Sequence, residues 1–150
     1  MANVKNSGNT TAQRAGNILV AKGLGFVLPT GKQKKNLVVA FAKRDKIVYG
    51  KAFDIIKLSG RVDLDSLEEI ESKLDRITLY EIKSTARDLE PDFKGYFFGL
   101  TAAEVLVAQS LKAQFKFVFV NIHTRNYLEL SLSQMFGRAK GIYPTWSILF

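Results

Sequence analysis

Apolar Ala12, Ala15, Ile18 and Leu19 recur at helical spacing and Gly23 ends the run, so the pattern predicts a helix over 10–22 capped by Thr10 or Thr11. A loop over 25–36 follows, with Pro29, Gly31 and the basic residues Lys32, Lys34 and Lys35. Three β-rich runs come next: LVVAFAK from Leu37, KIVYG from Lys46 and AFDIIKL from Ala52. The polar break Lys43–Arg44–Asp45 between the first two reads as a hairpin. An acidic helix is expected over 65–74, with capping-box spacing from Asp65 to Glu68 and apolar Leu67, Ile70 and Leu74. RITLYEIKS from Arg76 reads as a strand, and 101–113 as a long helix opened by a second capping box, Thr101 to Glu104. FKFVFVNI from Phe115 is almost continuously apolar, as a central strand buried on both faces must be. NYLEL then suits a sheet edge and 131–137 a last helical turn. The order predicts an α/β fold, a mixed central sheet flanked by helices, in a single domain over 1–150.

Composition removes several chemistries. There are no cysteines and a single histidine, His123, so thiol nucleophiles, zinc fingers and multi-imidazole sites are excluded. A bound metal would be a hard cation held by oxygen. No apolar run approaches the roughly 20 residues that span a bilayer, and MANVKNSGNTT lacks a signal-peptide core, so no membrane partner and an intracellular, cytoplasmic location are expected.

The net charge of +8 is unevenly spread. Residues 1–52 carry ten Lys or Arg against one acid, Asp45, whereas 53–93 carry six against eleven and 94–150 six against two. A basic chain with an acidic centre suits a polyanion approaching a cation site. Lys32, Lys34 and Lys35, with Lys43, Arg44 and Lys46, are the candidate phosphate contacts, and Tyr49, Gln33 and Asn36 could reach base edges. A plain solvated loop is the alternative reading of those cations.

One constellation carries chemistry. Glu81 and Lys83 flank Ile82 on a predicted strand, so both side chains share a face, and Asp54 interrupts the apolar run Phe53–Ile56. A carboxylate in a buried strand is costly unless paired or bound to a cation. Two carboxylates and an ammonium converging on adjacent strands would make a Mg²⁺ site with a lysine beside it, suited to phosphodiester hydrolysis. The bland alternative is a sheet-edge Asp and a surface Glu–Lys pair.

The strings AFDIIKL and LYEIKST, followed by a long helix and another strand, resemble the core of the PD-(D/E)xK nuclease superfamily, which has the restriction-endonuclease-like fold. The match covers roughly residues 10–122, although only the two short strings are specific. It implies metal ligation by Asp54, Glu81 and the backbone carbonyl of Ile82, with Lys83 as the catalytic lysine. Mg²⁺ is the implied cofactor, with Mn²⁺ able to substitute. Several members carry a glutamate on the first helix. Gln13 stands in its place here, either a departure from the family or a substitution that disables cleavage, and a simple solvent-facing glutamine is the alternative reading. Phe53 replaces the proline of the motif, Pro91–Asp92 falls in the wrong order to serve, and the stretch between Asp54 and Glu81 is longer than in compact members.

Within the superfamily the chain is similar to the bacterial group I intron homing endonuclease of this fold and to archaeal-type Holliday junction resolvases. The basic N-terminal half favours the former. The resemblance implies a sequence-specific double-stranded DNA endonuclease acting as a homo-oligomer, dimer or tetramer, so that each strand meets a site. A junction resolvase and a non-catalytic nucleic-acid binder are the alternatives. Glu104 reads as a helix cap, His123 as a strand-end residue, and Trp146 with the terminal SILF as core or subunit packing.

Overall fold

A computed structural model describes residues 4–150, with side chains from Thr11 onward. The first helix, α1 (Val4–Ala21), begins before Thr10 and Thr11, which lie within it and do not cap it. The two-residue strand β1 (Phe26–Val27) leads to α2 (Gly31–Ala42), where a loop and a strand were expected. Two local features override the β-branched run. The Thr30 hydroxyl accepts a hydrogen bond from the Gln33 amide while the Gln33 side-chain oxygen accepts one from the Thr30 amide, a full capping box. Leu37, Ala40 and Phe41 then repeat at helical spacing and are buried.

The segment Lys43–Asp45 ends α2 and makes no hairpin: Asp45 takes φ of 58° and the Lys46 amide donates to Phe41 O. Residues 46–49 form no strand; the Ile47 amide donates to Ser110 Oγ and Val48 is buried. β2 (Ile55–Leu58), α3 (Leu67–Ser72) and β3 (Ile77–Thr85) follow. α3 is capped by Ser66 to Glu69, one residue on from the expected pair Asp65 and Glu68. α4 (Ala102–Leu111) opens on the expected Thr101–Glu104 box, and β4 (Phe115–Asn121), β5 (Tyr127–Leu130) and α5 (Leu132–Arg138) complete the chain.

The chain is thus α/β, with a five-stranded mixed sheet of order β1-β2-β3-β4-β5, consistent with a restriction-endonuclease-like core. Every neighbouring pair is antiparallel except β3 and β4, which run parallel because α4 crosses between them. Alternation along β3 divides its side chains between two apolar layers. Tyr80 and Ile82 join Ala15 and Leu19 of α1, with Ile55, Val118 and Val120, on one face. Ile77 and Leu79 join Phe117 and Phe119 and buried residues of α2, α3, α4 and α5 on the other. Glu81 and Lys83 belong, by alternation, to this second face. β4 is buried at every position but Lys116, as its apolar run predicted.

Trp146 is 88% exposed, and Ile148, Leu149 and Phe150 are exposed with it, so the C-terminus does not pack into this chain's core. No helix is long and apolar enough to cross a membrane among the described residues.

Candidate active site

The antiparallel register pairs Ile55 with Tyr80, and one step further sets Asp54 opposite Glu81. Asp54 is fixed on both sides. Its amide donates to Tyr80 O at 2.8 Å, and its Oδ2 accepts from the Ile82 amide at 3.0 Å. Two acids facing each other across a ladder repel, and burial leaves little water to screen them. Burial first, then the facing Asp54 carboxylate and more weakly Glu104, push the Glu81 carboxyl up to about 9 against the opposing pull of Lys83. Glu81 therefore keeps a proton at neutral pH.

Lys83 lies beside this pair. Its Nζ is 3.7 Å from Glu81 Oε1 and 2.8 Å from Glu104 Oε1, with both Lys83 and Glu81 side chains under 15% exposed. Glu104 is 5% exposed and performs two tasks. As the third residue of α4 it closes the capping box with Thr101, and the same Oε1 accepts from Lys83. Read from sequence, Glu104 was a cap alone. The N-cap spacing could identify the cap, but only the placement of α4 over the second sheet face identifies the ion pair.

One atom stands out. Glu81 Oε2 is buried and has no hydrogen-bond partner. A buried acceptor left unsatisfied costs about 1–3 kcal/mol. A hard cation between Asp54 and Glu81 would satisfy that oxygen and remove the repulsion, so the residues present fit Mg²⁺. Among the described residues no group of three or more His, Asp or Glu side chains is placed to hold a metal ion. Asp54 and Glu81 supply two carboxylates, and hard cations complete their shells with backbone carbonyls and water.

The structure brings Asp54, Glu81, Ile82 and Lys83 together. It does not bring Gln13 to them. Gln13 is exposed on α1, whose buried side chains lie against Tyr80 and Ile82 on the face away from Glu81 and Lys83. Gly16 on α1 accommodates Leu28, whose Cδ2 lies 2.8 Å from where a Cβ would stand.

The six candidate phosphate contacts separate into two groups. Lys34 Nζ donates to Phe53 O at 2.7 Å and Gly50 O at 3.1 Å and sits 4.9 Å from the Phe53 ring centre. It thereby anchors the residue before Asp54. Phe53 is fully buried and held by this lysine. Lys43 pairs with Glu71 at 2.6 Å and Arg44 donates to Glu71 O at 3.3 Å, so both serve the contact of α2 with α3. Lys32 and Lys35 are exposed on α2, and Lys46 is half-buried.

Of the residues expected near base edges, Gln33 caps α2 and reaches Asp65, while Asn36 donates to Leu64 O. Both are occupied by the fold. Tyr49 is exposed. The His123 amide donates to Asn121 Oδ1 at the end of β4, a strand-end position as expected. Comparison of the chain with family models, curated proteins and solved structures gave no match.

Proposed function

We propose that this chain is a Mg²⁺-dependent endonuclease of double-stranded DNA, with Asp54, Glu81 and Lys83 at its centre. The observation that carries the reading is the buried, unpartnered Glu81 Oε2 facing Asp54 across adjacent strands with an ammonium beside it. Asp54, Glu81 and the carbonyl of Ile82 would hold the cation. When bound, Mg²⁺ would lower the pKa of an attacking water and offset charge on the phosphoryl oxygens. Asp54 is preset for ligation by its two backbone contacts. Lys83 supplies the positive charge needed where the substrate phosphate is anionic, and Glu104 fixes its ammonium so that little ordering remains at reaction.

The overall charge of +8 favours a nucleic-acid substrate, since basic proteins gain affinity by releasing counterions from phosphates. Cutting both strands calls for two such centres, hence a homo-oligomer, dimer or tetramer. An extended linear target of the homing type is the preferred substrate, served by the exposed Lys32 and Lys35 on α2.

The test is cleavage of linear duplex and four-way DNA with and without Mg²⁺, using wild type, Asp54→Asn and Glu81→Gln. Wild type should cut linear duplex only with the metal, and each variant should lose at least about 10³-fold, some 4 kcal/mol of barrier. DNA binding should survive, because Asp54→Asn removes a negative charge near phosphate and Glu81→Gln adds none. Preference for four-way DNA would identify a junction resolvase instead. Binding without cleavage by the wild type under Mg²⁺ or Mn²⁺ would overturn the enzymatic reading.

A further inference from the structure

The stretch from Arg87 to Leu100, between β3 and α4, holds a second feature that the metal chemistry does not use. Three of its aromatic rings are seated. Phe93, Tyr96 and Phe98 pack on Phe119, with ring centres 5.0–6.1 Å away. Phe119 pairs in register with Lys83 on the parallel strand β4. The Tyr96 hydroxyl donates to Ser84 O at 2.9 Å, one residue beyond Lys83. Phe93 adopts φ of 60°, in the left-handed region that a bulky side chain normally avoids, and its ring is nonetheless buried. The loop is therefore fixed against the end of the sheet that bears the candidate centre.

Phe97 is the exception. Between two seated rings it points outward, 76% exposed, with its ring centre 6.4 Å from that of Tyr143. An exposed phenylalanine on a segment so firmly held stays presented outward, since the loop is pinned on either side of it. Its distance from the centre is bounded by the chain. Thr101 is four residues further along, at most about 14 Å of backbone. The Thr101 amide is 3.3 Å from the Glu104 oxygen, which is 2.8 Å from Lys83 Nζ. That path of about 20 Å equals roughly six duplex steps of about 3.4 Å, so Phe97 lies within about six base pairs of a phosphate at Lys83.

We propose that Phe97 is an apolar wedge that enters the base stack of duplex DNA within about six base pairs of the scissile phosphate, with Tyr143 backing its ring. This rests on the nuclease reading above. Apolar wedges of this kind separate adjacent base pairs, and the accompanying bend or unwinding brings more backbone onto the protein. The loop carries Asp88, Glu90 and Asp92 together with the exposed Arg87 and Lys94, and the element that it holds out towards solvent at its tip is the Phe97 ring. Phosphate attraction would come from Lys32 and Lys35.

The test reads DNA geometry and not cleavage. A closed circular plasmid is relaxed by a metal-independent topoisomerase in chelator, with wild type, Phe97→Ala or Phe97→Trp bound to equal occupancy. Wild type and Phe97→Trp should shift the topoisomer distribution toward lower linking number. Phe97→Ala should abolish the shift and lower plasmid affinity at least about fivefold, the least that one lost aromatic–base stack removes. Equal shifts for wild type and Phe97→Ala, or no shift from bound wild type, would overturn the wedge. So would a sedimentation change in Phe97→Ala with the topoisomers unmoved, which would make Phe97 a contact between copies. A parallel incubation with Mg²⁺ separates the two readings. Nicking without a linking-number shift removes the wedge alone, and a shift without nicking removes the nuclease reading alone.

Discussion

Replacing Glu81 with glutamine keeps the shape of the side chain and removes its ability to ionise. In the folded, metal-free protein this carboxyl holds its proton up to about pH 9, against an ordinary value of 4.5. The folded state therefore binds one more proton than the unfolded state between those limits. Stability from this group is fully present below pH 4.5 and is lost as pH rises toward 9. Each pH unit is worth about 1.4 kcal/mol, so by pH 7 the wild type has lost up to about 3 kcal/mol that Glu81→Gln does not lose. In a chain of this size that is roughly 6–12 °C in Tm. Thermal melts of both proteins in chelator, from pH 5 to 9, should show a difference that is small at pH 5 and widens steadily in favour of the variant. Other titrating groups shift both proteins alike and cancel. At pH 8, Mg²⁺ at ten times its dissociation constant should return about 1.4 kcal/mol to wild type and nothing to the variant. A Tm difference that stays constant across this pH range would refute the burial and repulsion assigned to Glu81.

Three further outcomes follow from the geometry. Changing Lys32 and Lys35 together to alanine should flatten the dependence of log K on log salt for duplex DNA by about two, while an unchanged slope would remove α2 from the interface. Lys34→Met should leave that slope alone and instead cost about 2 kcal/mol of stability in denaturant unfolding, because two carbonyls lose a charged donor; a stability within 0.5 kcal/mol of wild type, on the order of surface substitutions, would contradict its anchoring role. Gln13→Glu should give a Mg²⁺ titration of cleavage that overlays wild type, since Gln13 is exposed on the helix of the opposite layer, and a tightened titration would mean that α1 reaches the centre after all.

The parts of the fold legible in the sequence are those where one signal acted alone. FKFVFVN has no helical periodicity to compete with its β-rich apolar run, and it is the buried strand β4. Thr101 to Glu104 followed by apolar residues could be read as a capped helix without knowing its neighbours. Residues 31–42 carried two conflicting signals. Leu37–Val38–Val39 favours a strand, whereas Thr30 to Gln33 is a capping box and Leu37, Ala40 and Phe41 share a helical face. Burial of that face decided the conflict, and burial depends on partners distant in sequence.

The same distinction separates the acidic centre from the cations. Asp54, Glu81 and Lys83 were legible because strand alternation fixes which residues share a face, and only the pairing of β2 with β3 remained to be supplied. Which lysines face solvent is not written in any local pattern. Lys34 and Lys35 are adjacent, yet one turns inward to Phe53 and the other outward to water. Gln13 failed for a related reason: a helical wheel gives the buried arc of α1 but not the sheet face that it covers.

A facing pair of acids is a local conflict within an otherwise consistent sheet. Ile55, Tyr80 and Ile82 around it are buried and apolar, and an apolar residue at position 81 would remove the repulsion and the unpartnered oxygen together. In the metal-free protein the proton that Glu81 keeps relieves the conflict. The Lys83 ammonium stands 3.7 Å from Glu81 but has its closer partner in Glu104 at 2.8 Å. A purely structural Glu–Lys pair would place the ammonium on Glu81. With Glu104 as its closer partner and Glu81 3.7 Å away, the Lys83 Nζ stands beside the acid pair, where the proposed hydrolysis would use a positive charge.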